Sequence, residues 1–273
     1  MTDRIRSHGT GAITIGVLIF LYAPLMIVIL FSFHSTGGLS FPFQGFSLRW
    51  YESVLGNAEF RRALTNSTIV AFSTSLATLV IGMLASLGIA KMHGRLRTVI
   101  GAFFFVPLTL PGLFIGLSLL VWFSRIELPP SLTTVTFAHV IYVFPYFILI
   151  LLAVLDRLDL TLEETAADLG ANAWQVFWKV TFPQVWPIMI AASCLTFALS
   201  FDEFIITFFV IGSESTLPRY IWSQLRRTVN PTINVISTLL LATTMLLWVV
   251  AFVAVLRSER RRRYSTSKGA FTP

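Results

Sequence analysis

Charge is what this chain has least of. Asp, Glu, Lys and Arg make up 12% of its 273 residues, while 55% are hydrophobic. An ordinary soluble domain carries roughly 25% charged residues. Half that share, spread around long uncharged runs, reads as a polytopic membrane protein. Cysteine is almost missing too. Cys194 stands alone in an apolar run, so no intrachain disulfide can form, and the residue is expected to be a small packing group. The histidines (His8, His34, His93, His139) are scattered singly, which leaves no His/Cys cluster to hold a metal. No G-x-x-x-x-G-K-[ST], G-x-S-x-G or H-E-x-x-H occurs, so a P-loop, a nucleophile elbow and a zinc-protease helix are excluded. The chain is expected to be non-catalytic, with no cofactor and no metal of its own. Its net charge of +7 is not a nucleic-acid footprint, because basic residues beside membrane spans report topology and contact with anionic lipid first.

Six stretches lack any Asp, Glu, Lys or Arg: Ser7 to Leu48, Ala63 to Ala90, Thr98 to Ser124, Leu128 to Leu155, Val180 to Phe201 and Thr228 to Leu256. Each has room for the helix of about 20 residues that crosses a bilayer, so the fold class is all-α with six transmembrane helices. The first apolar stretch, Ala12 to Phe33, is longer than the apolar region of a signal peptide. It contains Pro24 and meets no small-residue cleavage site before Phe31 and Phe33, so it reads as a retained span. With the N-terminus inside, 13 of the 20 Lys and Arg fall on inner segments and 7 on outer ones, which favours N-in and C-in. The expected division is a cytoplasmic N-terminus at 1–11, a membrane domain at 12–256 with a cytoplasmic loop at 156–183, and a basic tail at 257–273. The RSERRRR run that opens the tail suits anionic headgroups. Outside, Phe33 to Arg62 has room for an interfacial helix with Trp50 and Tyr51 at headgroup level. The loop from Gly212 to Pro231 reads as amphipathic.

Two features interrupt the apolar runs. In PLTLPGLFIG, Pro107 to Gly116, two prolines each remove a helical donor and two glycines thin the surface. The segment is either a kinked, tightly packed helix or a broken one that lines a solute path. Asp202 and Glu203 end the fifth run and lie at the outer boundary or in the outer half of a longer helix ending near Ile211. Acids at that depth hold a structural ion pair or meet a solute. A lone intramembrane histidine such as His139 is expected to hydrogen-bond a neighbouring helix.

The longest polar break is EETAADLGANAWQVFWKVTFP, Glu163 to Pro183. Glu163, Glu164 and Asp168 gather near the start of a short helix, Gly170 stops it, and a second short helix leads to Pro183. This segment resembles the EAA motif of permease subunits of bacterial ABC importers: E-A-A, three residues, G, nine residues, I-x-L-P. Glu164-Thr165-Ala166 stands at E-A-A, Gly170 at G, and Val180-Thr181-Phe182-Pro183 at I-x-L-P, with Thr165, Val180 and Phe182 as mild departures. PLTLPGLFIGLSLL, AHVIYVFPY, SFDEFIITFFV and LPRYIWSQLRRTVNPTINVISTL look like the second permease of spermidine/putrescine-type importers. That likeness covers about Phe60 to Leu256.

The resemblance implies an ABC importer permease fold in the bacterial inner membrane. It implies a second, different permease, two copies of a cytoplasmic ATPase that bind the ATP and Mg, and a periplasmic or lipid-anchored solute-binding protein. Glu163, Glu164, Ala166, Asp168, Gly170 and Pro183 would form the ATPase-coupling segment, with Trp174, Phe177 and Trp178 adding apolar surface. A polyamine is a flexible polycation, suited to carboxylates with aromatic walls. The solute path is therefore expected at Pro107, Pro111, Phe201, Asp202, Glu203 and Phe204, and binding-protein contact at Glu214, Arg219, Tyr220 and Trp222. Opines and amino acids are the alternative solutes. An ATP-independent secondary transporter would need an inverted repeat or a proton relay, and neither is visible.

Overall fold

The computed structural model describes residues 2–37, 43–159, 161–227 and 231–269. Among these, an isolated antiparallel bridge between His34 and Phe46 is the only extended pairing; the regular structure is helical. In chain order the helices are α1 (Thr2–Ser32), α2 (Arg49–Gly56), α3 (Ala58–Ala90), α4 (Gly94–Thr109), α5 (Gly112–Arg125), α6 (Leu132–Leu155), α7 (Thr161–Asp168), α8 (Ala173–Val176), a π-helical turn (Phe177–Thr181), α9 (Phe182–Asp202), α10 (Ile205–Val210), α11 (Leu217–Arg227) and α12 (Pro231–Gly269). Arg4, Arg6 and the basic side chains of the tail at 257–273 lie outside those described.

Five helical stretches among the described residues are long and apolar enough to cross a membrane: Ile13–Ser32, Ala58–Ala90, Leu132–Leu155, Ala173–Asp202 and Pro231–Val250. Where the third span was expected, α4 and α5 meet at 102°; Pro107 stays inside α4, and the helix breaks at Pro111 rather than kinks. Leu110 and Pro111 take extended backbone, with ψ of 130° and 138°. Pro111 supplies no N–H for the ladder, and α5 restarts when Phe114 N–H donates to Pro111 O at 2.9 Å. The fifth span differs from its expectation at both ends. At its start no loop separates α8 from α9, because the π-turn joins them. Phe182 N–H reaches back to Phe177 O, and the wide turn absorbs the donor that Pro183 lacks. At its far end the helix stops at Asp202 and resumes at Ile205.

The chain forms two compact units, Met1–Arg61 with Tyr220–Thr243 and Arg62–Arg219 with Thr244–Pro273. In the first, the helix α2 lies in the segment where an interfacial helix was expected and folds back on the end of α1. Trp50 Nε1 donates to His34 O at 2.9 Å, and the hydroxyls of Tyr51 and Ser32 lie 2.8 Å apart. From Ile13 to Met26 the described apolar side chains of α1 are exposed, which suits lipid contact.

The second unit is built around α6. Its N-terminal half joins Ile115, Phe123, Val135, Ala138, Ile206 and Val210 in one apolar cluster, and its C-terminal half packs Phe147, Leu151 and Leu155 on Val185, Met189 and Ala192 of α9. Polar side chains cross-link the helices as they do in lipid. Ser75 Oγ donates to Ser193 O at 2.8 Å, and Thr134 Oγ1 donates to Val210 O at 2.7 Å. α5 and α10 approach closely at Gly116, where a Cβ would lie 2.9 Å from the Phe209 ring and 3.1 Å from Ile206 Cα. Gly116→Val should therefore push α5 off α10 and cost about 1–3 kcal/mol. Reduced recovery of detergent-solubilised protein and a lower Tm would register it, and wild-type values would refute the tight contact.

Candidate functional site

Two places gather the chemically distinctive residues, and both lie in the second unit. The first is the polar segment between α6 and α9. Local signals build it. Asp159 caps α7, since its Oδ1 accepts from Thr161 N–H at 3.0 Å and from Thr161 Oγ1 at 2.7 Å. Those two bonds, the hydroxyl first, hold the Asp159 carboxyl below its usual value. The cap is thus complete at neutral pH and is lost only as pH falls through that lowered value. Gly170, at φ +87°, closes α7. Gly170 N–H donates to Ala167 O at 2.9 Å and Ala171 N–H to Ala166 O at 3.0 Å, the paired bonds of a Schellman ending. Two residues on, Asn172 and Gln175 form a reciprocal capping box that starts α8.

The result is a hairpin of two short helices with an exposed apolar tip. Leu169 is 84% exposed, Trp174 70% and Trp178 44%. The sequence reading placed the tryptophans on this surface but missed Leu169, whose only signal was its place before the Gly stop. Glu164 and Asp168 are exposed, while Ala166 is half-buried. Glu163 turns inward and accepts a hydrogen bond from Thr181 Oγ1. Pro183 lies in the first turn of α9, as expected.

The second place is where two broken helices meet. The break between α9 and α10 contains neither Pro nor Gly: Glu203 is extended at ψ 117° and Phe204 is helical. Glu203 makes the restart possible. Its Oε1 accepts from Ile206 N–H at 2.9 Å, and its carbonyl accepts from Thr207 Oγ1 at 2.9 Å. The start of α5 lies alongside, and a Cβ on Gly112 would be 3.6 Å from Ile206 and 4.0 Å from Glu203 Oε1. The Glu203 carboxylate therefore faces the positive end of α5 as well as the amide it caps. Asp202 is exposed beside it. From α6, Tyr142 lies within electrostatic reach of both acids, and its ring is 5.9 Å from that of Tyr146.

His139 fastens this arrangement. It is 1% exposed, with Nδ1 2.7 Å from Ser200 Oγ on α9 and Nε2 2.8 Å from Thr207 Oγ1 on α10. One imidazole thus bridges the break, with both ring nitrogens satisfied as the sequence reading expected of a lone intramembrane histidine. His139→Leu would strand the buried Ser200 hydroxyl and leave Thr207 only its bond to the Glu203 carbonyl. It should destabilise the protein by about 1–3 kcal/mol, read as a fall in Tm of the purified complex. An unchanged Tm would refute the bridge.

The sequence-predicted residues divide accordingly. Pro111, Asp202 and Glu203 come together. Phe204 follows them, with its ring 5.8 Å from Phe208. Phe201 is 3% exposed and stacked on Phe197 at 5.8 Å, so it is a core residue rather than a wall. Pro107 lines an apolar cavity of 410 Å³ with Phe103, Phe104, Ile141 and Phe144, apart from the acids. Tyr142 and Tyr146 were missed as site residues; their spacing of four in AHVIYVFPY, one face of a helix, was the available signal.

The four outer residues also divide. Glu214 pairs with Arg62 at 2.8 Å and with Asn66 at 3.2 Å. Arg219 donates to the carbonyls of Gly212 and Glu214 at 2.7 and 2.6 Å. Both therefore hold the loop in shape. In the first unit, Tyr220 is 7% exposed and packs against Phe60, while Trp222 is exposed with Arg226 over its ring at 5.0 Å. Residues 228–230, the end of the outer segment, lie outside the described residues.

Known proteins share this plan. The family described as "Binding-protein-dependent transport system inner membrane component" matches residues 78–264. The putrescine transport system permease protein PotI of Escherichia coli (strain K12) is 32% identical over 252 residues, covering 89% of each chain. The spermidine/putrescine transport system permease protein PotC of the same strain is 28% identical over 253 residues, covering 92% of this chain and 95% of that one. In a crystal structure of a bacterial ABC transporter that imports the acidic polysaccharide alginate, one chain superimposes with a TM-score of 0.70 at 15% identity. The match covers 94% of this chain and 96% of that one, and at that identity it establishes the fold alone. A broken span, an EAA-type hairpin and these matches lead to one conclusion: the chain belongs to the binding-protein-dependent transport system inner membrane component family, as a multi-pass permease subunit of an ABC importer.

Proposed function

We propose that this permease forms half of the pathway of an ATP-driven importer of polyamines such as spermidine and putrescine. The observation that carries the solute class is the pair Asp202–Glu203 at a helix break, Asp202 exposed and Glu203 half-buried, with Tyr142 of α6 within electrostatic reach of both. Two neighbouring carboxylates with a tyrosine in electrostatic reach suit an alkylammonium ion through charge pairing and cation–π attraction. The polyamine permeases among its relatives support the same reading. Pro111 and Gly112 complete the acid face, and Phe204 supplies an apolar wall for the methylene stem.

The α7–α8 hairpin is the ATPase-docking element, with Leu169, Trp174 and Trp178 filling a groove and Glu164 and Asp168 meeting basic residues at its rim. Two ATPase copies bind ATP and Mg and close on each other; this chain performs no chemistry. A second, different permease completes the path, and a periplasmic or lipid-anchored binding protein delivers the solute from outside, with Trp222 as the exposed aromatic available to it. The hairpin side is cytoplasmic in this arrangement, in line with the Lys and Arg count.

Uptake of labelled spermidine into cells lacking their own polyamine importers tests the proposal. The cells would express this chain with its neighbouring permease, ATPase and binding protein. ATP-dependent uptake blocked by putrescine, and not by amino acids, opines or sugars, is the expected result. A complex whose ATPase responds to its binding protein but which takes up no spermidine would discard the polyamine assignment and keep the importer.

A further inference from the structure

The docking hairpin is attached to its membrane helix in two ways, and only one of them is the chain itself. Along the backbone, α7 reaches α9 through the turn at Gly170, then α8 and the π-turn. The Gly170 turn is exposed, and nothing lies within 4 Å of where its Cβ would be. The turn itself is held by the bonds from Gly170 and Ala171 to Ala167 and Ala166. The second attachment is the hydrogen bond from Thr181 Oγ1 to Glu163 Oε1. It joins the first turn of α7 to the residue immediately before α9, across 18 positions of sequence.

Both partners are placed for this contact. Thr181, at the end of the π-turn, is 5% exposed. Glu163 is the one acid of its cluster that turns away from solvent, while Glu164 and Asp168 point outward. Bonds to an ionised acceptor are the stronger kind. The two line a cleft of 400 Å³ with Leu87, Lys91, Ala167 and Phe177, so without the bond there is open space for α7 to move into. Thr181 is also the last residue of the π-turn, a geometry that is rare and concentrated at functional positions.

We propose that Glu163 and Thr181 are positioning residues of the coupling reaction. Their bond locks α7 to the root of α9, so that a displacement of the docked hairpin moves the membrane helix instead of being absorbed at Gly170. This rests on the reading that α7–α8 docks the ATPase. It gives Glu163 a different task from the ATPase contact expected of it: the carboxylate acts within its own chain.

The test uses the whole transporter, reconstituted in proteoliposomes with its partner permease, ATPase and binding protein. Labelled spermidine uptake and ATP hydrolysis are measured together. Thr181→Val keeps the shape and removes the donor. It should retain wild-type ATPase content and basal hydrolysis, yet import about tenfold less solute per ATP hydrolysed. Stimulation of hydrolysis by the binding protein should fall as well, because that signal reaches the ATPase through the same hairpin; this readout does not depend on the identity of the solute. Thr181→Ser should restore both. Glu163→Ala combined with Thr181→Val should be no worse than Glu163→Ala alone, because one bond is removed once. Wild-type coupling in Thr181→Val, beside a Gly170→Asp variant that is uncoupled, would overturn the lock and leave the docking reading intact. Normal coupling in both would remove the docking reading as well. Loss of the ATPase from the purified Thr181→Val complex would also overturn the lock, since Thr181 would then support the docking surface itself.

Discussion

A transporter carrying Gly170→Asp is expected to hydrolyse ATP while importing at least tenfold less solute than wild type. The backbone at Gly170 has φ +87°, where an L side chain costs about 1–2 kcal/mol. The new carboxylate would also sit at the negative end of α7, unfavourable by about 0.3–1 kcal/mol, and would add to the charge of Asp168 and Glu164 on the same hairpin. Together these loosen the closing bonds from Gly170 and Ala171 to Ala167 and Ala166. The exposed Leu169 would no longer be presented at a fixed angle. Gly170→Ala separates the contributions, because it carries the backbone strain without the charge and should fall between wild type and Asp. Uptake and ATP hydrolysis measured on the same purified complex decide the matter. Normal uptake by Gly170→Asp at normal expression would remove the hairpin from the coupling path.

The second large effect is expected at the helix break. Asp202→Asn removes a charge from an exposed side chain that caps nothing among the described contacts, so the fold should survive. If a polyamine ammonium pairs with Asp202, the concentration for half-maximal uptake should rise roughly tenfold to a hundredfold, from a loss of about 1.5–3 kcal/mol. Glu203 requires more care, because its carboxylate also accepts the Ile206 amide. Glu203→Gln keeps an oxygen for that bond and loses only the charge, whereas Glu203→Ala loses both. Uptake should therefore weaken in Glu203→Gln with Tm held, and Glu203→Ala should lower Tm as well. Unchanged concentration dependence in both Asp202→Asn and Glu203→Gln would exclude the acid pair from solute recognition.

What could be read from the sequence was what short-range chemistry encodes. The α7–α8 hairpin was legible because its parts act within a few residues of one another: an acid cluster, a Gly stop, a Pro at the start of the next span. The break at Pro111 was legible as one of two outcomes for the same reason, since a missing donor is visible in the residue itself. The break at Asp202–Phe204 was not. FDEF contains no helix breaker, and the interruption is held by partners far away in sequence: His139 on α6 bridging Ser200 and Thr207, and Gly116 on α5 drawing Ile206 close. Glu163 read as one more acid in a favourable place. Its hydrogen bond to Thr181 depends on how α7 folds back, which no local pattern records. Phe201 and Tyr220 were assigned to surfaces because aromatic residues beside charges suit binding, yet burial claimed both.

The uninterrupted helical stretch Ala173–Asp202 has one further consequence. Its 30 residues span about 45 Å at 1.5 Å per residue, with Trp174 near one tip and the acid pair at the other. Such a shaft converts angle into distance: a tilt of about 5° about one tip carries the opposite tip through about 4 Å, by the same length. That exceeds the radius of an ammonium group. A modest rocking motion at the ATPase would be enough to open or close the carboxylate end to a single cation, with no helix needing to slide, melt or change register along the way.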